Sequence, residues 1–198
     1  MYRERMTPVF TTPAEITSFI RATAKAIGKH EPVYVDLAKH DGMPPSMCFE
    51  NVAKLVRTQG GKLITGWLFW EWPGVMIDAE HHAIWERPDG LWEDVTPKAD
   101  GETRILFVRD DKATYKDSKS ILNKRFPAQG NKLAKEFIAL KREAEMVFEP
   151  YRRTGDFGVP EDALERRQKK DERARRRWNR LLEQYGGGNV TPDSKEQD

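Results

Sequence analysis

His82-Ala83-Ile84-Trp85-Glu86-Arg87-Pro88-Asp89-Gly90-Leu91-Trp92-Glu93-Asp94-Val95-Thr96 is the stretch that decides the fold. Two runs rich in β-branched and aromatic residues flank a Pro-Asp-Gly core, as in a β-hairpin. Arg87-Pro88-Asp89-Gly90-Leu91 fits a three-residue hairpin loop: a type I turn with Pro first, then Gly in the left-handed conformation. Arg87 and Leu91 then close the loop, Ile84 faces Asp94, and His82 faces Thr96. His82 and Asp94 become diagonal neighbours on one face, roughly 7 Å apart at the backbone, within reach of a side-chain hydrogen bond. His81 points to the other face. A two-residue loop would exchange the two histidines.

Working outward, Lys62 to Trp72 reads as a strand, Trp72-Pro73-Gly74 as a turn and Val75 to Arg87 as the strand entering the hairpin. Leu91 to Thr96 is the strand leaving it, and Arg104 to Arg109 is a further strand. Val33-Tyr34-Val35 is a short extended piece. Upstream, Thr12-Pro13-Ala14-Glu15 has the makings of a capping box, followed by Ile16, Phe19, Ile20 and Ile27 at helical spacing and Gly28 as a stop. Ser46 reads as the N-cap of a helix from about Met47 to Gln59, ended by Gly60-Gly61, so that Cys48 lies in the first helical turn. Downstream, Leu133, Phe137, Leu140, Ala144, Val147 and Phe148 form a helical stripe closed by Pro150, and a further helix spans Pro160 to Tyr185.

The expected architecture is α+β: helices first, a mostly antiparallel sheet, then a helical C-terminal extension. The expected domains are a core at 1–128, the extension at 129–185 and a disordered tail at 186–198.

The chain of 198 residues carries 34 Lys plus Arg against 32 Asp plus Glu, a net charge of +2, which gives no global argument for nucleic acid or membrane binding. A single cysteine, Cys48, excludes an intramolecular disulfide framework. With no apolar leader or bilayer-length run, the expected location is the cytoplasm. The basic stretch Arg166 to Arg180 admits a weak nucleic-acid reading, but acidic residues interleave it and a solvated helix fits better.

A thiol enzyme needs its cysteine at a place that favours an anion, such as a helix start, a base within hydrogen-bond reach and a carboxylate to orient that base. Cys48, His82 and Asp94 offer these. Cys48 at a helix start, then His82-Ala83-Ile84-Trp85, then Gly90-Leu91-Trp92-Glu93-Asp94-Val95-Thr96, resembles the transglutaminase-like core of the papain-like superfamily. Trp85 stands one place later than the aromatic residue of the usual His-Ala-Trp string, and no Gln shortly precedes Cys48. The resemblance implies a papain-like or transglutaminase-like fold with an antiparallel sheet, and a hydrolase or acyltransferase acting on an amide or related acyl bond of a protein or peptide-like substrate. Cys48 would be the thiol nucleophile, His82 the base and Asp94 the orienting acid of a catalytic triad. Trp67 and Trp70 would supply indole donors and Asn51 would contact the site. No cofactor is implied. Adjacent histidines on a strand point apart, so no metal site is expected at His81 and His82. The competing reading is a non-catalytic binding or adaptor module on the same fold, with the charged C-terminal helix contacting a protein or nucleic acid partner. Cys48 taken alone would be an inert, buried small hydrophobe.

Overall fold

A computed structural model describes residues 10–28, 30–98, 101–115, 121–154 and 158–186. The tail expected beyond Gly186 lies outside the described residues. The element order is α1 (Ser18–Ile27), β1 (Val33–Leu37), α2 (Cys48–Gln59), β2 (Lys62–Trp72), β3 (Met76–Glu86), β4 (Trp92–Asp94), β5 (Arg104–Arg109), β6 (Lys124–Pro127), α3 (Lys132–Thr154) and α4 (Glu161–Tyr185).

The strands run in the order β2-β5-β1-β4-β3-β6, and β2 also pairs with β3. That last pairing joins the two ends of a five-strand series and closes it into a barrel, with β6 as an extra strand. The open, mostly antiparallel sheet expected of a papain-like or transglutaminase-like core is therefore corrected: the chain is α+β, but its sheet is mixed and closed. In a closed ring with an odd number of strands, directions cannot alternate all the way round, so at least one neighbouring pair must run parallel. Here β1 and β4 run parallel, with Asp36 opposite Glu93 and Leu37 opposite Asp94. The pairs β1–β5, β2–β5 and β3–β4 are antiparallel.

The hairpin forms as its turn chemistry dictates. Arg87 N–H donates to Leu91 O and Gly90 N–H to Arg87 O, and Gly90 sits at φ 86°. Trp85 faces Glu93 and Glu86 faces Trp92, the register the three-residue loop requires.

Alternate residues of the barrel strands point inward. Val35, Ile64, Leu68, Ile84, Ile105 and Phe107 make one core, joined by Leu37, Trp70 and Trp92. Residues of the opposite parity on β3, Ala83 and Trp85, together with Val95, pack against α2 through Phe49, Val52 and Leu55. The apolar stripe of α2 thus holds it against β3, and this fixes where the helix begins relative to His82.

Two other sequence expectations are corrected. α1 starts at Ser18 with Thr17 as its cap, not at Thr12. Thr12 is drawn away by the barrel: its N–H donates to Glu102 and its hydroxyl to Arg104 O. Pro150 lies inside α3 and does not end it.

By chain contacts the molecule divides into one unit of residues 11–71 and 77–125, containing the site discussed below, and another of 1–10, 72–76 and 126–198. In the described part of the latter, α3 and α4 pack through Leu133, Ala134, Phe137, Trp178 and Leu181, with Phe10 and Trp72 in the same cluster. The basic stretch of α4 is laced with ion pairs, Arg167–Asp171, Lys170–Glu143 and Arg177–Glu136 among them, as a solvated helix face would be. Among the described residues no helix is long and apolar enough to cross a membrane.

Candidate ligand site at the start of α2

Asp94, the last residue of β4, is fully buried and organises this end of the barrel. Its Oδ2 accepts from His82 Nε2 at 3.0 Å and from Lys98 Nζ at 2.8 Å. Its Oδ1 accepts from the Thr96 N–H at 2.9 Å, a side-chain-to-backbone turn that bends the chain out of β4. Burial alone would raise the Asp94 carboxyl, but the His82 and Lys98 charges and hydrogen bonds outweigh it and hold the group down at about 2.

The same balance acts on His82. Burial pushes the imidazole down, but the Asp94 charge and hydrogen bond, with a smaller contribution from Cys48, raise it to about 9. His82 is therefore an imidazolium at neutral pH, with N–H groups on both ring nitrogens. One is taken by Asp94. The other, Nδ1, is buried, and Cys48 is the further side chain hydrogen-bonded to His82.

The neighbouring histidine has the opposite character. His81 Nδ1 accepts from the Ile121 N–H at 2.9 Å, so its Nε2 carries the proton and donates to Ala113 O at 2.7 Å. Burial lowers its pKa and keeps it neutral. Alternation along β3 thus separates a structural histidine from a charged one.

α2 begins at Cys48, and no side chain caps it: the N-cap is Met47, not the expected Ser46. Ser46 has φ 62°, the one non-glycine residue with positive φ among those described. Such a conformation costs about 1–3 kcal/mol and persists only where the surroundings impose it. Asn51 helps to impose it, since its Nδ2 donates to Pro44 O at 2.9 Å and to Thr96 Oγ1 at 3.2 Å, tying the loop before α2 to the chain after β4.

Together these elements line a half-open cavity of about 180 Å³ formed by Ser46, Cys48, Trp70, Glu80, His82, Thr96 and Lys98, with Pro45 and Pro97 beside them. Trp70 Nε1 donates to Glu80 Oε2 at 2.8 Å, which positions both side chains on its wall. Of the residues singled out from sequence, Cys48, His82 and Trp70 line this cavity, Asp94 and Asn51 brace it from behind, and Trp67 lies elsewhere. The Trp67 indole donates to Asp110 Oδ2 at 3.0 Å and packs near His81. Sequence reasoning passed over Lys98 and read Ser46 only as a helix cap. Lys98 follows Asp94 by four residues, but no regular element predicted that the two would meet.

The thiol-enzyme reading is overturned. The closed barrel is not the sheet that the papain-like or transglutaminase-like resemblance implies. Cys48 is buried and contributes only a minor share of the rise in the His82 pKa, behind Asp94. Among the described residues no group of three or more His, Cys, Asp or Glu side chains could hold a metal ion. The hydrolase or acyltransferase with a Cys48-His82-Asp94 catalytic triad, and the adaptor module on the same fold, are withdrawn with it. Comparison with protein-family models, curated proteins and solved structures found no match.

The ion pair makes stability depend on pH in a defined sense. His82 is raised above its ordinary 6.5, so its contribution is complete below pH 6.5 and is lost as pH rises through about 9. Asp94 is depressed below 3.8, so its contribution is complete above that and is lost as pH falls towards about 2. The urea midpoint should therefore be highest between these ranges and fall on both sides. A His82→Gln variant should lose much of the alkaline fall, and an equally steep fall in that variant would assign it to another group.

Proposed function

We propose that this chain is a binding domain that takes up a small anionic ligand in the cavity at the start of α2. The observation that carries the reading is His82: a buried imidazolium on the wall of a cavity. Charge-assisted hydrogen bonds to such a donor are about twice as strong as neutral ones.

Three further features support an anion. The uncapped N-terminus of α2 presents free N–H groups and the positive end of the helix dipole. Lys98 adds a second cation, its side chain largely buried. The strain at Ser46 is concentrated in the loop that lines the cavity, as is common at ligand-binding positions. Cys48 serves as a small wall residue, and its free thiol suits a reducing compartment such as the cytoplasm.

The test is nitrogen NMR of protein labelled with ¹⁵N-histidine, titrated with formate. The His82 ring resonances should shift and saturate as the anion enters, while those of His81, on the other face of β3, should stay in place. Absence of any His82 response up to tens of millimolar would remove the proposal.

A further inference from the structure

The other histidine of the pair stands at a second cleft. This half-open cleft of about 580 Å³ is lined by Ile27 at the end of α1, Trp67, Asp110 and Ala113 after β5, Ile121, and Lys124 of β6. Two of its walls are joined through one side chain. His81 Nε2–H donates to Ala113 O at 2.7 Å, and His81 Nδ1 accepts from the Ile121 N–H at 2.9 Å. The ring itself is 3 % exposed.

An imidazole plays both parts only while neutral, because the accepting nitrogen needs its lone pair. A proton on Nδ1 sets two N–H groups against each other at Ile121. The Ile121 amide then has no acceptor in a part-buried place, and it must move to find one. The Ala113 bond responds in the opposite way. Its donor is present in both protonation states, and a charged ring strengthens it. Protonation therefore acts on one wall and spares the other.

The surroundings place that event in the acid range. Burial is the largest influence lowering His81 from its ordinary 6.5, and His82 on the same strand and Lys124 on β6 act in the same direction. The Ala113 bond and the Asp110 carboxylate act against them. α2 and β2 set the Phe49 and Trp67 rings against the imidazole, with centroids at 4.7 and 5.6 Å. Release takes up one proton, so each pH unit of acidification favours it by at most about tenfold. Ile121 stands three residues before Lys124, whose ammonium lies 4.1 Å from the centroid of the buried Trp67 ring. Freeing Ile121 thus loosens the approach to the side chain that covers Trp67.

From a single ring that accepts from one wall and donates to the other, we infer that His81 is an acid-sensitive latch, which releases the Ile121 wall of the cleft and keeps the Ala113 wall tied. The latch lies on the opposite face of β3 from the anion site and does not depend on it.

The experiment follows the His81 ring by nitrogen NMR, and the backbone amides by hydrogen exchange, from neutral pH downward. Protection factors are corrected for the pH dependence of intrinsic exchange. The Ile121 amide should lose protection by up to about tenfold per pH unit, in step with protonation of His81 Nδ1. The Ala113 amide, which donates to Asp110 O, should keep its protection over the same range. His82, raised to about 9, is already charged and should not titrate there. In His81→Asn the side-chain oxygen can stand near the place of Nδ1 and accept from Ile121 without titrating, so Ile121 protection should stay flat. Should that variant not fold, the wild-type titration decides alone. Ile121 protection that holds while His81 takes up its proton would overturn the latch. So would an equal loss in His81→Asn, or a ring that stays neutral until the whole chain unfolds.

Discussion

Asp94→Asn should destabilise the chain by about 3–5 kcal/mol, the cost of leaving a buried charge without its partner. Asp94 is fully buried and receives three hydrogen bonds, from His82, Lys98 and the Thr96 N–H. An amide has one acceptor oxygen. If that oxygen keeps the Thr96 N–H, the NH₂ group is left facing two cationic donors. Neither cation can easily escape, since His82 is 2 % exposed and the Lys98 side chain 9 %. For a chain of this length each kcal/mol lowers Tm by about 2–4 °C, so a fall of about 10 °C or more is expected by calorimetry. The His82 resonance should titrate at lower pH in the variant, because its largest stabilising partner is gone. Adding His82→Gln to Asp94→Asn should recover part of the loss, since one of the two stranded charges is then removed. A Tm within a degree or two of wild type would show that the carboxylate does not hold this end of the barrel together.

How much of this site was legible beforehand follows from what is local. The hairpin was readable because Pro88, Asp89 and Gly90 each fit one position of a single turn type, and the turn fixes the register of both strands. From the register alone, His82 rather than His81 had to share a face with Asp94, and the two are bonded. The start of α2 was readable to within a residue for the same reason. What could not be read was the relation of these pieces in protonation and hydrogen bonding. A Cys-His-Asp order along the chain says nothing about the protonation state that the imidazole takes. Here Asp94 binds His82 tightly enough to hold it charged, and Lys98, invisible in that pattern, completes the network.

The barrel was hidden for a different reason. Each of β2, β3 and β5 was visible as a strand, yet strand existence says nothing about which edges meet. The pairing of β1 with β4 joins residues more than fifty positions apart and runs parallel, so no turn announces it. Closure between β2 and β3 used a hairpin that an open sheet would also contain. β6 was missed altogether, since Lys124-Arg125-Phe126-Pro127 has neither the length nor the alternation of a strand read from sequence. One residue did carry information about the barrel. Gly66 interrupts an otherwise bulky strand, and a glycine inside a strand marks a place where something approaches closely.

Gly66→Ala should accordingly be among the most damaging single-methyl changes in the molecule. Gly66 faces Arg109 across the β2–β5 pair. A Cβ there would lie 2.2 Å from Val108 O, 2.6 Å from Phe107 Cζ and 3.0 Å from Arg109 Cα. The Phe107 ring occupies the barrel interior where a side chain at position 66 would otherwise go, and it is fully buried. Two of the three contacts are with backbone, which cannot turn aside as a flexible side chain would. Relief therefore requires β5 to move away from β2, straining their ladder and opening the ring. Overpacking of this kind costs about 1–3 kcal/mol when side chains can yield, and more when, as here, the backbone is the obstacle. Gly90→Ala makes the comparison clean: nothing lies within 4 Å of its Cβ position, and only its φ of 86° opposes the change. That variant should lose about 1 kcal/mol. Combining Gly66→Ala with Phe107→Leu should restore only part of the stability, because the ring contact is removed and the Val108 carbonyl contact is not. Urea unfolding of the three variants beside the wild type decides the matter. Equal losses in Gly66→Ala and Gly90→Ala, or full rescue by Phe107→Leu, would show that backbone contact at the β2–β5 seam is not what requires a glycine there.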